Sequence, residues 1–379
     1  SQRVNSFWAL RYMMPVGTRY FLPPEARLRR ELQERLAGLL YAWGYEPVEL
    51  PSLELYDPQH TLAERAFKLV DKTGEVLALR SEFTTAVARL LRSNGGLTPG
   101  QPVRMQYGGT LWLREAAAEL GRSREFSQVG AELVGVSSPQ ADAEVLELAW
   151  ECLQLVGFPE AKIEVGLPAL VRDLLDATGL PDEKKERLRQ SIHRKNSPDL
   201  EFLLKNYQVR PGLQKALQAL PDLYGGREVL EEARRLPLSS KARADLDWLE
   251  AVLALLPEVP LLLDLGRARL LTFYTGLNFQ AYTPDFGLPL LGGGRYDGAL
   301  LPYAAGFALG LERVMEALRP PLFLTPPEVL ALDRALARKL RAEGRRVELA
   351  WTPNLTELRE YALEKGILWL AKDGRLEEV

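Results

Sequence analysis

The sequence predicts an α+β fold in which an antiparallel sheet is flanked by helices. Strand-like segments recur as neighbours and hairpins within residues 1–320, without the regular alternation of strands and helices that a parallel doubly wound sheet requires. A Leu-rich, charged stretch at about residues 167–257 interrupts them and predicts a helical insertion. Residues 321–379 predict a small α/β unit. A chain of 379 residues is long enough for two or three domains, each with its own core.

The first predicted element is a long helix over residues 24–43. Its apolar side chains recur at helical spacing, and Gly44 marks its end. These side chains are Leu28, Leu32, Leu36, Leu39, Leu40 and Trp43. The segment YEPVELPSLELYD then predicts a strand followed by Pro51. A helix and a strand therefore open the fold.

Seven further segments have the composition typical of strands. Their ranges are 75–79, 103–113, 125–136, 162–165, 260–265, 277–282 and 288–291. Inside the insertion, which reads as helical throughout, Pro181, Pro198, Pro211 and the Gly225–Gly226 pair separate the helices. The C-terminal unit predicts a helix over 333–343, the strand VELAW, the helix LTELREYALEKG and the strand ILWLA.

Composition limits the possible functions. The net charge of −3 and the pI near 5.8 argue against a surface dominated by polyanion binding. The single cysteine, Cys152, excludes an internal disulfide and a cysteine zinc site, and its apolar surroundings predict a small buried side chain. No apolar run is long enough for a membrane span, and the first residues lack a signal-peptide pattern. We therefore expect a soluble cytoplasmic protein with no metal and no cofactor.

Residues 113–132, LREAAAELGRSREFSQVGAE, predict two strands joined by a loop. This segment resembles the second signature motif of class II aminoacyl-tRNA synthetases. The resemblance implies that Arg114 grips the α-phosphate of ATP through its planar guanidinium. Ala116 stands where the family has a glutamate that accepts a hydrogen bond from the adenine amino group, so that contact is lost. The same resemblance places Gln128 against the polar backbone of an amino-acid ligand and Glu132 against its imidazole.

Two further segments resemble histidyl-tRNA synthetase. In LALRSEFTTAVARL, Glu82 and Thr84 match the residues that bind the α-amino group of histidine, and a carboxylate with a hydroxyl suits an ammonium. In RLLTFYTGLNFQAY, Arg269 matches an arginine that acts at the reacting phosphate and carboxylate. Tyr274 matches a tyrosine that touches the imidazole. The histidine ligand is thus implied by the resemblance.

The last two matching segments are LLGGGRYDGAL, which contains Tyr296, and GFALGLERV, which resembles the third class II motif. In that motif Arg313 reaches the terminal phosphates of ATP. Taken alone, the glycine-rich segment fits a tight hairpin equally well, with glycines chosen for backbone freedom. The matching segments occur in the family's order over roughly residues 10–318, which favours the resemblance. The two histidines, His60 and His193, lie in polar loop or helix contexts and have no predicted role.

Two functions fit this resemblance. An active histidyl-tRNA synthetase needs the adenine-contacting carboxylate, and it needs the glycine and aspartate that Leu270 and Thr272 replace here. It also needs a full anticodon-binding domain, whereas residues 321–379 resemble a truncated one. The second function, which we favour, belongs to the non-catalytic branch of the family, the regulatory subunits of ATP phosphoribosyltransferase in histidine biosynthesis.

The favoured function implies several partners. We expect a homodimer through the class II interface and a hetero-octamer with a short-form catalytic subunit, whose activity and feedback inhibition by histidine depend on this chain. We expect no aminoacylation, no catalytic residue, no tRNA partner and no membrane partner. The expected histidine-binding residues are Glu82, Thr84, Arg114, Gln128, Glu132, Arg269, Tyr274 and Tyr296. Arg114 and Arg313 are expected to remain as a vestigial nucleotide site.

Overall fold

The computed structural model of the protein describes residues 14–95, 98, 100–115, 123–268 and 274–379. The contacts of the chain divide it into two compact units. The first comprises Ala26–Pro320 with the residues up to Phe21, and the second comprises Pro321–Val379 with Leu22–Glu25. The larger unit contains every described residue that the sequence assigns to a site.

The strands of the larger unit form two sheets. They are β1 (Glu46–Pro47), β2 (Leu53–Leu55), β3 (Lys68–Val70), β4 (Val76–Leu79), β5 (Val103–Trp112), β6 (Glu125–Val134), β7 (Lys162–Gly166), β8 (Tyr224–Gly225), β9 (Leu261–Asp264), β10 (Asn278–Tyr282), β11 (Leu291–Arg295) and β12 (Ala304–Gly310). Over the described residues, nine strands form one sheet in the order β1-β5-β6-β12-β11-β10-β7-β9-β8. The order β2-β4-β3 forms a separate small sheet.

The predicted fold class is confirmed, although the large sheet is mixed. Its centre, from β5 to β7, is antiparallel, as the sequence predicts. Toward its margins β1 is parallel to β5, and β7 is parallel to β9. Parallel neighbours cannot be joined by a hairpin and need a long crossover. The helical insertion supplies that crossover between β7 and β9.

Ten helices of the larger unit can be described. They are α1 (Pro23–Ala42), α2 (Thr84–Ser93), α3 (Pro139–Val156), α4 (Pro168–Asp176), α5 (Asp182–His193), α6 (Ser197–Asn206), α7 (Pro211–Ala219), α8 (Val229–Arg234), α9 (Ser240–Ala254) and α10 (Leu311–Leu318). The long first helix is therefore confirmed. The insertion was predicted to be helical throughout, but its break at Gly225 is the edge strand β8, which pairs with β9.

Helices cover the two faces of the large sheet differently. On one face α1 and α3 pack their apolar side chains, such as Leu36, into a core that includes Val129 and Leu133 of β6. Side chains alternate between faces along a strand, so Glu132 belongs to the other face. There α2 packs Val87 into a smaller core with residues of β5 and β6. This second face carries the candidate site.

The C-terminal unit is a small α/β structure. Its strands are β13 (Val329–Ala331), β14 (Val347–Leu349), β15 (Trp369–Lys372) and β16 (Arg375–Glu378), and its helices are α11 (Arg334–Ala342) and α12 (Leu355–Lys365). The strand order is β14-β13-β15-β16, and the sequence had indicated neither β13 nor β16. Asp333 caps α11, and Gly366 ends α12 with a φ of +81° that glycine adopts without strain. In the part of the chain that is described, no helix is long and apolar enough to cross a membrane.

Candidate functional site

Glu132 lies within β6 and is almost completely buried, with 2% of its surface exposed. Three hydroxyl groups donate to its carboxylate. The Tyr296 hydroxyl donates to Oε2 over 2.6 Å, and the hydroxyls of Tyr107 and Thr84 each donate to Oε1 over 3.1 Å. These donors come from β5, from the first residue of α2 and from the residue after β11. The cluster therefore depends on the register of the sheet, and it provides the partners that a buried carboxylate needs.

Glycines form the floor of the sheet beside Glu132. In the sheet, Gly306 of β12 pairs with Glu132, and Gly294 of β11 pairs with Gly306. A β-carbon on Gly306 would collide with the Glu132 carboxylate, and a β-carbon on Gly294 would lie 2.7 Å from the Tyr274 ring. Close approach thus requires glycine at both positions. The two glycines let the Glu132 carboxylate and the Tyr274 ring lie directly against the sheet.

The three consecutive glycines of the glycine-rich segment lie within strand β11, so they do not form the turn of a hairpin. The sequence predicted a strand over 288–291, but the strand begins at Leu291 and ends at Arg295. Arg295 donates through Nε to Asp142 Oδ1 over 2.7 Å and through Nη1 to Asp297 Oδ1 over 2.7 Å. Because Asp142 belongs to α3, this buried network fixes the strand to the helix layer. Tyr296 is the residue of this motif that reaches Glu132.

Burial raises the pKa of Glu132 from its ordinary value of 4.5 to about 7, although the three hydroxyl donors oppose the rise. Burial beside this carboxylate also holds the pKa values of Tyr107 and Tyr296 well above 10.0, so both hydroxyls stay protonated donors. Near neutral pH the Glu132 carboxyl is therefore close to half protonated. It suits a ligand group that can share a proton with it, such as an imidazole, whose ordinary pKa is near 6.5.

A second carboxylate, Glu82, lies just before α2. The Thr85 N–H donates to its Oε1 over 3.2 Å and to its Oε2 over 3.0 Å, and His60 Nε2 lies 2.9 Å from Oε1. Burial acts to raise the pKa of Glu82, but the hydrogen bonds from His60 and Thr85 outweigh it and the pKa is lowered. The N-terminus of a helix also favours an anion. The site thus combines an ionised carboxylate with a carboxyl that titrates near neutrality.

The structure brings together five of the predicted site residues. These are Glu82, Thr84, Glu132, Tyr274 and Tyr296. Gln128 lies on the same face of β6 as Glu132, because strand side chains alternate. The guanidinium of Arg114 is more than half exposed and donates to the Glu64 carbonyl oxygen over 3.0 Å. Arg313 donates to the Pro289 carbonyl oxygen over 2.8 Å. Arg269, together with Ala116, Leu270 and Thr272, lies outside the described residues.

Two residues of the site had no predicted role. Tyr107 donates to Glu132, and His60 contacts Glu82. No predicted site residue lies on β5, so alternation along that strand could not have indicated Tyr107. Nothing local connects His60 with Glu82, which lies 22 positions further along the chain.

Cys152 is buried, as the sequence predicts, and its burial raises its pKa to about 12. A thiol with such a pKa stays protonated and does not act as a nucleophile at neutral pH. Over the described ranges, no group of three or more His, Cys, Asp or Glu side chains is arranged to hold a metal ion.

Comparison with known proteins shows the family to which the chain belongs. Residues 17–314 match the family model described as histidyl-tRNA synthetase. A curated relative from Thermus thermophilus is 58% identical over 364 residues, which cover 96% of this chain and 98% of the relative. Another, from Deinococcus radiodurans, is 46% identical over 371 residues, covering 97% of this chain and 90% of the relative. Both relatives are named ATP phosphoribosyltransferase regulatory subunit.

Solved structures have the same fold. A protein from Bacillus halodurans, described as an ATP phosphoribosyltransferase regulatory subunit/histidyl-tRNA synthetase, has a TM-score of 0.81 at 27% identity and covers 93% of this chain and 96% of its own. Histidyl-tRNA synthetase from Nostoc has a TM-score of 0.77 at 19% identity, covering 97% of this chain and 96% of its own, and it shares the fold. The chain belongs to the family of ATP phosphoribosyltransferase regulatory subunits, which are built on the histidyl-tRNA synthetase fold.

Proposed function

We propose that this regulatory subunit binds L-histidine in the pocket of Glu132 and transmits its occupancy to the catalytic subunit of ATP phosphoribosyltransferase. The observation that carries the proposal is the pair of differently tuned carboxyl groups beside a glycine floor. Glu132 titrates at about pH 7, whereas Glu82 has a lowered pKa. Histidine has an imidazole that titrates in the same range as Glu132 and an ammonium that stays charged.

In the proposed complex the imidazole lies beside Glu132 and Tyr274, and the ammonium lies against Glu82. One proton shared between the imidazole and Glu132 leaves no isolated charge in the buried part of the pocket, which would otherwise be costly. Gln128 is assigned to the polar backbone of the ligand, together with Arg114 and Arg269. Analogues that lack either end would leave a polar group of the pocket unpaired, so the site selects histidine.

The proposal includes the partners that the resemblance implies. We assign a short-form catalytic subunit as the partner, a hetero-octamer as the assembly, and histidine as the inhibitor that acts through this chain. If the two subunits are coupled, histidine affinity and catalytic-subunit affinity must change by the same factor, because linkage is reciprocal. Aminoacylation is not assigned to this chain, since Ala116 cannot provide the adenine contact. Arg114 and Arg313 are then remnants of a nucleotide site.

A homodimer is proposed through the class II interface, which we assign to the long helix α1 and to the strand and Pro51 that follow it, because this helix, strand and proline resemble the first class II motif. Support comes from apolar side chains that the larger unit leaves in solvent around α1 and the small sheet. Tyr41 is 62% exposed, Leu55 is 61% exposed and Val70 is 76% exposed. Large apolar side chains left in solvent are candidates for contact with a second copy of the chain. Native mass spectrometry of the chain alone and with a catalytic subunit measures both the dimer and the larger assembly.

The test of the function is a mixing experiment with a purified short-form catalytic subunit. Formation of phosphoribosyl-ATP should be weak without this chain, should rise when it is added, and should then fall with histidine. Glu132→Gln should abolish the histidine response while keeping the activation, because a buried hydrogen-bonding partner of the ligand is lost, at a cost of about 2 to 4 kcal/mol. Glu125→Gln, at the exposed start of the same strand, is the matched control.

The competing function gives a different result in the same preparation. Histidine-dependent exchange between ATP and pyrophosphate, or charging of tRNA, would favour an active histidyl-tRNA synthetase. Histidine inhibition that persists undiminished through Glu132→Gln would place the sensor elsewhere and refute the proposal.

A further inference from the structure

We propose that His60 is a positioning residue of the ligand pocket, which holds the Glu82 carboxylate in the orientation that receives the ammonium of the ligand. The inference rests on the proposed histidine site and adds a residue that neither the sequence motifs nor the family resemblance identified. His60 itself is not assigned a contact with the ligand.

The tautomer of His60 follows from its two neighbours. The Leu62 backbone N–H donates to Nδ1 over 3.0 Å, so Nδ1 must be the unprotonated, accepting nitrogen. The proton therefore lies on Nε2, which is 2.9 Å from Glu82 Oε1. In this tautomer Nε2 donates to the carboxylate, and the ring is fixed at both nitrogens. The same hydrogen bond to Glu82 raises the pKa of His60, and a protonated ring would donate to the same oxygen.

The loop that carries His60 is fastened to α2, the helix that begins beside Glu82. The His60 N–H donates to the Asp57 carbonyl oxygen over 3.2 Å. From α2, Arg89 Nη2 lies 3.7 Å from Asp57 Oδ2, and Arg89 Nη1 lies 3.9 Å from Glu54 Oε2. The His60 ring is therefore held against Glu82 by one contact that precedes it in the chain, at Asp57, and one that follows it, at Leu62.

The arrangement leaves part of Glu82 free for a ligand. Its Oε1 accepts from both His60 and the Thr85 N–H, whereas Oε2 accepts from the Thr85 N–H. A carboxylate offers about four lone-pair directions, so Oε2 retains capacity for an ammonium. The Glu82 side chain is 25% exposed and the His60 side chain 17% exposed, so both side chains are partly open to solvent. His60 orients one oxygen of the carboxylate and makes no hydrogen bond to the other.

This role makes a prediction about which part of the ligand His60 affects. His60 has no hydrogen bond to Glu132, whose donors are Tyr296, Tyr107 and Thr84. Loss of the His60 donor should therefore weaken the binding of an ammonium and leave the binding of an imidazole unchanged. A residue that merely supports the fold would weaken both.

The experiment compares L-histidine with its des-amino analogue, 3-(imidazol-4-yl)propionate, by calorimetry on the full chain, or by ligand-detected NMR where affinity is low. The variant is His60→Leu, which keeps the bulk of the ring and removes the donor. Histidine affinity should fall about tenfold, as expected when one hydrogen bond to a charged group no longer orients it. Affinity for the analogue should change less than about twofold, which is smaller than the change expected from the loss of one hydrogen bond.

Two further variants complete the design. His60→Gln can place a side-chain N–H near the position of Nε2, and it should recover most of the histidine affinity. His193→Ala, at the other histidine of the chain, should bind both ligands as the wild type does. Where His60→Leu fails to fold, His60→Ala takes its place.

The inference is overturned if His60→Leu weakens both ligands equally, if it leaves histidine binding unchanged, or if it tightens histidine binding. The last result would identify His60 as a competitor of the ammonium. A wild-type chain that binds neither ligand instead refutes the proposed function itself, and the two failures are therefore distinguishable.

Discussion

Replacing Glu132 by Gln should remove a specific pH dependence of stability. Because the pKa of Glu132 in the folded protein, about 7, lies above its ordinary value of 4.5, the folded state retains a proton that the unfolded state releases between these values. The wild type should therefore lose stability as the pH rises from 4.5 to about 7, and change little from this group outside that window. At about 1.4 kcal/mol for each pH unit, the loss amounts to about 3 kcal/mol.

The assay is urea unfolding of wild type and Glu132→Gln at about pH 4 and about pH 8, on either side of the titration. The amide of Glu132→Gln also changes stability by fitting the hydroxyl cluster less well than the carboxyl. This change is the same at both pH values, so it cancels when the two unfolding free energies are subtracted. The difference in unfolding free energy between the two pH values should shrink by about 3 kcal/mol in the variant. In the control variant Glu125→Gln, the difference in unfolding free energy between the two pH values should equal that of the wild type. Parallel pH profiles for wild type and Glu132→Gln would refute the assignment of a retained proton to this carboxyl.

Three other substitutions test the construction of the site. Tyr296→Phe removes the donor 2.6 Å from Glu132 Oε2, so the unfolding free energy above pH 7 should fall by about 1 to 3 kcal/mol, and no loss would contradict the hydrogen bond. Gly306→Ala puts a methyl group against the Glu132 carboxylate; calorimetry should find histidine binding lost, at a stability cost of about 1 to 3 kcal/mol. Arg295→Met leaves Asp142 buried and without its ion-pair partner. The free energy of unfolding, measured in urea, should fall by about 3 to 5 kcal/mol. An unchanged free energy of unfolding would mean that apolar packing can replace the ion pair.

The sequence was informative where structure depends on local periodicity. The leucines of residues 24–43 recur at helical spacing, and α1 buries Leu32, Leu36 and Leu40, which belong to that pattern. Alternation and composition likewise located most strands of the large sheet. The order of the motif segments predicted that Glu132 and Tyr296, far apart in sequence, belong to one site, and the structure joins them by a hydrogen bond.

Strand β11 illustrates why other elements could not be located. Glycine has a low strand propensity because it loses much backbone freedom on folding and has no side chain to pack. The sequence therefore ended the strand at Leu291, where the structure begins it. Glycine is present here because a β-carbon at Gly293 would lie 2.6 Å from the Phe307 β-carbon of the neighbouring strand. Only the three-dimensional arrangement reveals that requirement.

The same limit applies to His60 and to the edge strand β8. The partner of His60 is fixed by the packing of a loop on α2, and no periodicity connects the two segments. Tyr224 and Gly225 are a strand only because β9 lies beside them. Both features depend on contacts between distant segments, which local patterns do not encode.

The two carboxyl groups explain why one pocket suits the two ends of histidine. They are the same residue type in different environments. Burial raises the pKa of Glu132, whereas hydrogen-bond donors together lower the pKa of Glu82. Pairs of like groups whose surroundings move their pKa values apart are typical of sites with divided tasks. In the proposed complex the first carboxyl shares a proton with the imidazole and the second stays ionised for the ammonium. Neither task involves a nucleotide, so the contacts that a synthetase needs for ATP can be lost while histidine binding is retained.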